Sequence, residues 1–265
     1  MFKVRTLALA VGSALALGVA TQASAAPVFT IDPTAYYGAG AVFNATQATG
    51  SSSARIVQAG LNQTVDGYIT FQGFTNNGAP VGAGTSGITV GYNLYATFTQ
   101  GLTCTGPLAT GVSCSVDSLS LSLYVDPSMG NSFTAASVGA NYSITDTAND
   151  ILLGTSNLVF TGVAGLDALG GAFENITSNF ALTNPDGMNY FIGPDPFYDI
   201  VFSAFNNTSQ GITCNSANCA NGTATIFAIN QETGTVDFNR VPEPGTLALL
   251  GLSFAGLGFA RRRKV

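Results

Sequence analysis

Two runs of strict alternation constrain this chain more than any other feature. From Leu119 to Val125 the odd positions are Leu119, Leu121, Leu123 and Val125, and the even ones are Ser120, Ser122 and Tyr124. From Ile88 to Phe98 the even positions Ile88, Val90, Tyr92, Leu94, Ala96 and Phe98 are apolar. Their neighbours Thr89, Gly91, Asn93, Tyr95 and Thr97 are mostly polar. A period of two separates faces only in extended chain, because a helix carries residues i and i+2 to different sides. Both runs therefore predict half-buried antiparallel strands.

Weaker candidates extend the pattern: 27–31, 54–59, 68–74, 132–138, 158–161, 173–183, 189–192, 197–205, 223–230 and 235–238. Turn clusters separate them, as at Asn76-Asn77-Gly78, Asp126-Pro127, Asn184-Pro185-Asp186-Gly187 and Gly193-Pro194-Asp195-Pro196. The segment 44–53, NATQATGSSS, is small and polar and reads as a mobile loop. The segment 163–172, VAGLDALGGA, reads as a helical turn or a loop. Ten or more strands without a convincing helix predict an all-β body, residues 26–240, built as a single β-sandwich or jelly-roll-like domain.

Four cysteines lie in that body. Cys104 and Cys114 flank the connection between the two best strands, and Cys214 and Cys219 flank a short polar loop. An even count points to disulfides if the chain folds in an oxidising compartment, which its leader, described below, implies. Three connectivities are open, and the two local pairs are the expected ones. Each would contribute roughly 2–3 kcal/mol by closing a short loop in the unfolded chain.

Composition excludes most catalytic chemistry. The chain has no histidine, which removes the commonest general base and every Ser-His or Cys-His nucleophile. The body has no lysine, so neither a Schiff base nor a phosphate-binding P-loop is expected. Between residues 26 and 240 only Arg55 and Arg240 oppose thirteen acidic residues, a net charge of −11. Such a surface repels nucleic acid and anionic polymers. Calcium ligands are conceivable at 146–150 (Asp-Thr-Ala-Asn-Asp) or at Asp195 and Asp199, but neither matches an EF-hand loop, and turn capping is the expected role. No catalytic residue, metal or cofactor is assigned, and a non-enzymatic protein is expected.

The ends of the chain have a different character. Lys3 and Arg5 precede an apolar stretch from Leu7 to Val19, and Ala23-Ser24-Ala25 forms an A-x-A cleavage site. Residues 1–25 are thus expected to be a secretory signal peptide, handled by the Sec translocon and signal peptidase. Residues 241–265 read Val241-Pro242-Glu243-Pro244-Gly245, then an uncharged apolar stretch from Thr246 to Ala260, then Arg261-Arg262-Arg263-Lys264. The prolines hold the entry extended. The apolar stretch, as a helix, would span roughly 22 Å at ~1.5 Å per residue, a little short of a ~30 Å hydrocarbon core. The basic cluster would stop translocation on the cytoplasmic side.

Pro-Glu-Pro, apolar helix and arginine cluster, in that order, closely resemble the PEP-CTERM sorting signal of Gram-negative bacteria. The resemblance implies recognition by an exosortase, a membrane-embedded cysteine protease-transpeptidase. It implies a transient stay in the inner membrane, cutting near Pro242-Glu243-Pro244, and release to the cell surface or extracellular matrix. The body adds a second likeness. Phe29-Thr30-Ile31-Asp32-Pro33, the run 91–96 (GYNLYA), the run 191–198 (FIGPDPFY) and the run 202–207 (FSAFNN) resemble the flocculation-associated PEP-CTERM proteins. That likeness implies a matrix protein that helps cells aggregate into flocs or biofilm with exopolysaccharide. The alternative is a carbohydrate- or calcium-binding surface module.

Overall fold

The computed structural model describes residues 27–239. The expected signal peptide with Ala23 and Ala25, the Val241–Pro244 motif and the Arg261–Lys264 cluster lie outside the described residues. Strands run in chain order β1 (Phe29–Ile31), β2 (Phe43–Ala45), β3 (Gln47–Ala59), β4 (Asn62–Asn76), β5 (Ala79–Pro80), β6 (Asn93–Cys104), β7 (Ser113–Asp126), β8 (Ser132–Thr134) and β9 (Ser143–Thr145). They continue with β10 (Ile151–Ser156), β11 (Val159–Leu166), β12 (Ala172–Asn179), β13 (Ala181–Leu182), β14 (Phe191–Gly193), β15 (Ile200–Asn206), β16 (Ile212–Cys214) and β17 (Ile226–Asn239). Two helical turns, α1 (Ala83–Ser86) and α2 (Asp186–Tyr190), complete the α/β inventory.

The all-β class is as expected, but the architecture is a closed barrel rather than two stacked sheets. Eight antiparallel strands follow one another around a ring, β3-β4-β6-β7-β11-β12-β15-β17, and β17 pairs back onto β3. The closing contact is the pairing of Val163, Ala164 and Gly165 with Ser115, Cys114 and Ser113. β7 is long enough to serve two partners: its first half pairs with β11, and its second half pairs with β10. Closure removes the open edges that a sandwich would leave.

The alternating faces fall as their periodicity demands. Leu94, Ala96, Phe98, Leu119, Leu123 and Val125 are all buried, while Ser118, Ser120 and Thr99 face water. One end of the barrel is closed by the small sheet β14-β1-β2. That sheet seats Phe29 and Phe191 edge-on against Phe238, with ring centroids 5.1 and 5.4 Å apart. The other end carries the disulfide between Cys104 and Cys114, beside buried Leu108 and Leu166. A second disulfide joins Cys214 to Cys219. Both pairs are the local ones.

Several segments depart from the expected reading. Residues 47–53 are not a loop but the first half of β3. The segment 163–172 is strand, turn and strand; Asp167 accepts the backbone N–H groups of Leu169 and Gly171 at 2.7 and 2.8 Å and so caps the turn. The alternation from Ile88 begins as strand only at Asn93, leaving Val90 exposed in a turn. The two candidates at 223–230 and 235–238 are one strand, β17, broken by a bulge at Gln231, whose φ is 65°.

The seam is tight. A Cβ on Gly162 of β11 would lie 2.7 Å from Cβ of Val116 and 3.4 Å from Ile176. Gly162→Val is therefore expected to lower stability by about 1–3 kcal/mol, measured as a shifted urea midpoint. An unchanged midpoint would contradict the packing described for this seam.

Candidate functional site

The barrel interior is filled. Its two cavities measure about 40 Å³ each, room for a few waters and far less than a small-molecule ligand needs. What is unusual there is chemical. Glu174 on β12 and Glu232 on β17 both point inward, together with Gln63 and Gln100. Glu232 is aimed inward by the Gln231 bulge, since the strand's regular alternation from Phe227 and Ile229 would have placed Gln231 inside instead. Ser52 donates to the Glu232 carboxylate at 2.7 Å. Burial holds the Glu232 carboxyl above its ordinary range, and the Ser52 hydroxyl offsets part of that. Glu174 borders both cavities, so its unpacked surface faces enclosed space. Burial first, and the Glu232 charge second, push it up to about 7, against a hydrogen bond from Gln100 across the interior. Both Gln63 and Gln100 leave their Oε1 atoms buried without a partner. The alternation Glu174, Ile176, Ser178, Phe180 was legible and places Glu174 on the core face; nothing local in the sequence marks the bulge that turns Glu232 inward.

A larger site lies on the outer face. Residues 132–145 form a strap whose two short strands, β8 and β9, pair only with each other. The strap is pinned to the barrel wall at three places. Ser53 Oγ accepts the Ala136 N–H at 2.8 Å, Asn230 donates to the Ala136 carbonyl at 3.1 Å, and Arg55 donates to the Val138 carbonyl at 3.3 Å. Aromatic rings complete the attachment. Phe133 packs 5.3 Å from both Tyr68 and Tyr95, and Tyr142 packs 5.5 Å from Tyr68. The chain before the strap is organised by Asp126, a fully buried carboxylate. It accepts the Ser128 N–H and hydroxyl, the Asn131 N–H, and the Asn93 amide. Burial alone would raise this carboxyl, but these hydrogen bonds outweigh it and hold it below its usual range.

Between strap and wall runs an open cleft of about 650 Å³. Its floor is the outer face of β4, β6 and β7, carrying Asp66, Tyr95, Thr97 and Tyr124; its far side is Asn141, Tyr142, Ser143, Ile144 and Thr147. Tyr95 and Tyr124 stack with centroids 5.2 Å apart and planes 18° from parallel. Tyr95 donates its hydroxyl to Asp150, which also accepts the Asn131 amide at 2.8 Å. The second Asp150 oxygen has no partner. Burial, and then the Asp150 carboxylate, raise the Tyr95 phenol far above its ordinary value, and burial and Asp66 raise Tyr142. The Tyr95 and Tyr142 phenols stay neutral hydrogen-bonding groups at physiological pH.

The residues singled out in the sequence fall elsewhere. The cysteines are structural, at the barrel's stapled end and beside β16. Asp146 and Asp150 bracket a 3₁₀ turn, and Asp150 serves the cleft. Among the described residues, no three carboxylates or cysteines converge on a point. In the 191–198 segment Phe191 is buried and Phe197 half-buried, both packed against Phe180 and Phe238, while Ile192, Asp195 and Pro196 are exposed. The cleft tyrosines were legible only as polar-face positions of the two strongest strands, Tyr95 and Tyr124.

Residues 240–264 match the model of the PEP-CTERM protein-sorting motif. No curated protein and no solved structure matches the chain.

The interior carboxyl has a measurable signature. In the unfolded chain a glutamate ionises near 4.5, while in the barrel Glu174 keeps its proton to about 7. Between these values the folded state binds more protons, so stability falls as pH rises from about 4.5 to 7 and then levels. Glu174→Gln removes the Glu174 part of that slope, leaving what Glu232 contributes, and is expected to be more stable than the parent at pH 8, by up to the order of 3 kcal/mol. Parallel pH–stability curves for the two proteins would show that Glu174 is not held in this way.

Proposed function

We propose that this chain, whose residues 240–264 match the PEP-CTERM sorting motif and so imply export, membrane-anchored sorting and processing by an exosortase, acts without catalysis in the extracellular matrix. In this reading it is freed from the inner membrane near Pro242-Glu243-Pro244 and contributes to floc or biofilm formation together with exopolysaccharide. The sorting motif carries the reading, because it implies export and exosortase sorting, and release from the membrane is the step this reading adds. An extended proline-rich segment suits recognition in a protease groove, since its backbone is ordered before binding.

The body supports a binding and scaffolding role over an enzymatic one. It lacks histidine and lysine, its two interior cavities of about 40 Å³ are too small for a substrate, and its outer cleft is aromatic with no activated nucleophile among the described residues. The second reading, a carbohydrate- or calcium-binding surface module, is favoured by one observation, the tyrosine and carboxylate lining of the outer cleft. The two readings are compatible, since a matrix protein needs some means of holding polymer.

The test is a host strain lacking the protein, complemented with the parent or with Glu243→Ala. The parent is expected to restore aggregation, and its extracellular form to end within residues 241–245 by intact mass. Glu243→Ala is expected to remain full-length in the inner membrane and to leave the strain dispersed. Aggregation restored equally by a membrane-retained variant would contradict the matrix role, and a parent that keeps residues 261–265 would contradict processing.

A further inference from the structure

We propose that the cleft between the strap and the barrel wall binds an uncharged polysaccharide, one chain lying along the strap. This deepens the matrix reading above by naming the polymer class and the surface that holds it.

Four features of the cleft point to that ligand. Its volume of about 650 Å³ lies within the range of sites that hold drug-sized ligands, and its open form suits a chain passing through. Tyr124 and Tyr142 present partly exposed rings from opposite sides. Such rings offer an apolar face to the C–H face of a pyranose, with a hydroxyl at the wet edge. The polar groups are acceptors suited to sugar hydroxyls. Asp66 keeps one oxygen beyond the Thr99 bond, and Asn141 makes no side-chain hydrogen bond among the described residues. A hydroxyl donating to a carboxylate forms a short, charge-assisted bond.

Charge decides between neutral and acidic polymers. Asp66 and Asp150 both line the cleft, and the single cation between residues 27 and 239, Arg55, is bonded to the Val138 carbonyl of the strap. An anionic chain would meet two carboxylates and no counter-charge, so like-charge repulsion excludes it. The strap is also held firmly. The Phe133, Tyr68 and Tyr95 rings and the Asp126 and Asp150 bonds fix it before any ligand arrives. Little ordering is left for binding to impose.

The experiment uses the full chain purified in detergent, run in native gels containing dextran, galactomannan or alginate. Binding is read as retardation and, since the chain has no tryptophan, as a change in tyrosine emission. Retardation by a neutral polymer and none by alginate is expected. Tyr124→Ala and Tyr142→Ala should each weaken it at least tenfold, Asp66→Asn severalfold, and Leu61→Ser, on the exposed β3–β4 turn, should leave it unchanged. Each variant is first shown to keep the parent's melting temperature within a few degrees; for any tyrosine variant that does not, Asn141→Ala and Thr97→Val replace it. No retardation by either neutral polymer, equal retardation by alginate, retardation only with added calcium, or retardation untouched by the cleft variants overturns the proposal. None of these results bears on tail processing, which is read by mass and location in the host, so the two readings fail separately.

Discussion

The pairing of β11 with the first half of β7 is the contact on which everything else rests. Without it the strands from β3 to β7 and from β11 to β17 would still pair among themselves, but as an open sheet with two bare edges. With it, every strand of the ring has two hydrogen-bonded neighbours, and the apolar faces are enclosed without a second sheet. The seam needs small residues. Gly162 leaves space for Val116, and Ala164 sits opposite Cys114, itself tied to Cys104 on β6. The disulfide thus fixes the hairpin whose outer strand receives the closing partner.

Closure separates the interior from the outer face, and each is given different chemistry. Inside, Glu174 and Glu232 are held away from water with no cation facing them, and they stay only because Ser52, Gln100 and a raised proton affinity reduce the cost of burial. Outside, the polar face of the same strands is covered in part by the strap, and the partial cover makes a concave surface on an otherwise convex wall. A paired wall and a docked strap give the body a concave outer surface, the one to which polysaccharide binding is assigned in the proposal above.

How much of this was legible depends on how the pattern was written in residue size. The runs ending at Phe98 and Val125 alternate large apolar with polar residues, and their inward faces are those the period specifies. Residues 47–53 alternate too, but Ala48, Gly50 and Ser52 give no hydropathy contrast with their neighbours, so a wall strand reads as a loop. The structure supplies the reason: a Cβ on Gly50 would lie 2.7 Å from the Thr70 carbonyl, 3.2 Å from the Ile69 side chain and 3.4 Å from the Phe71 backbone. Barrel and sandwich share the same alternation, and the choice between them rests on a pairing between residues about fifty apart in sequence, which local periodicity does not encode. The bulge at Gln231 hid the second interior carboxylate in the same way, by breaking parity in mid-strand. The sorting motif of the tail was legible, because it is written in linear order rather than in folding.

The most direct test is nuclear magnetic resonance on the seam, reading cross-strand Overhauser contacts and amide exchange for residues 113–115 and 163–165. A closed barrel predicts contacts between Ala164 and Cys114 and between Val163 and Ser115, with hydrogen-bonded seam amides exchanging as slowly as those of β3 and β4. Absence of those contacts, with seam amides exchanging like exposed edges, would mean that the sheet is open and that two stacked sheets describe the body better than a ring.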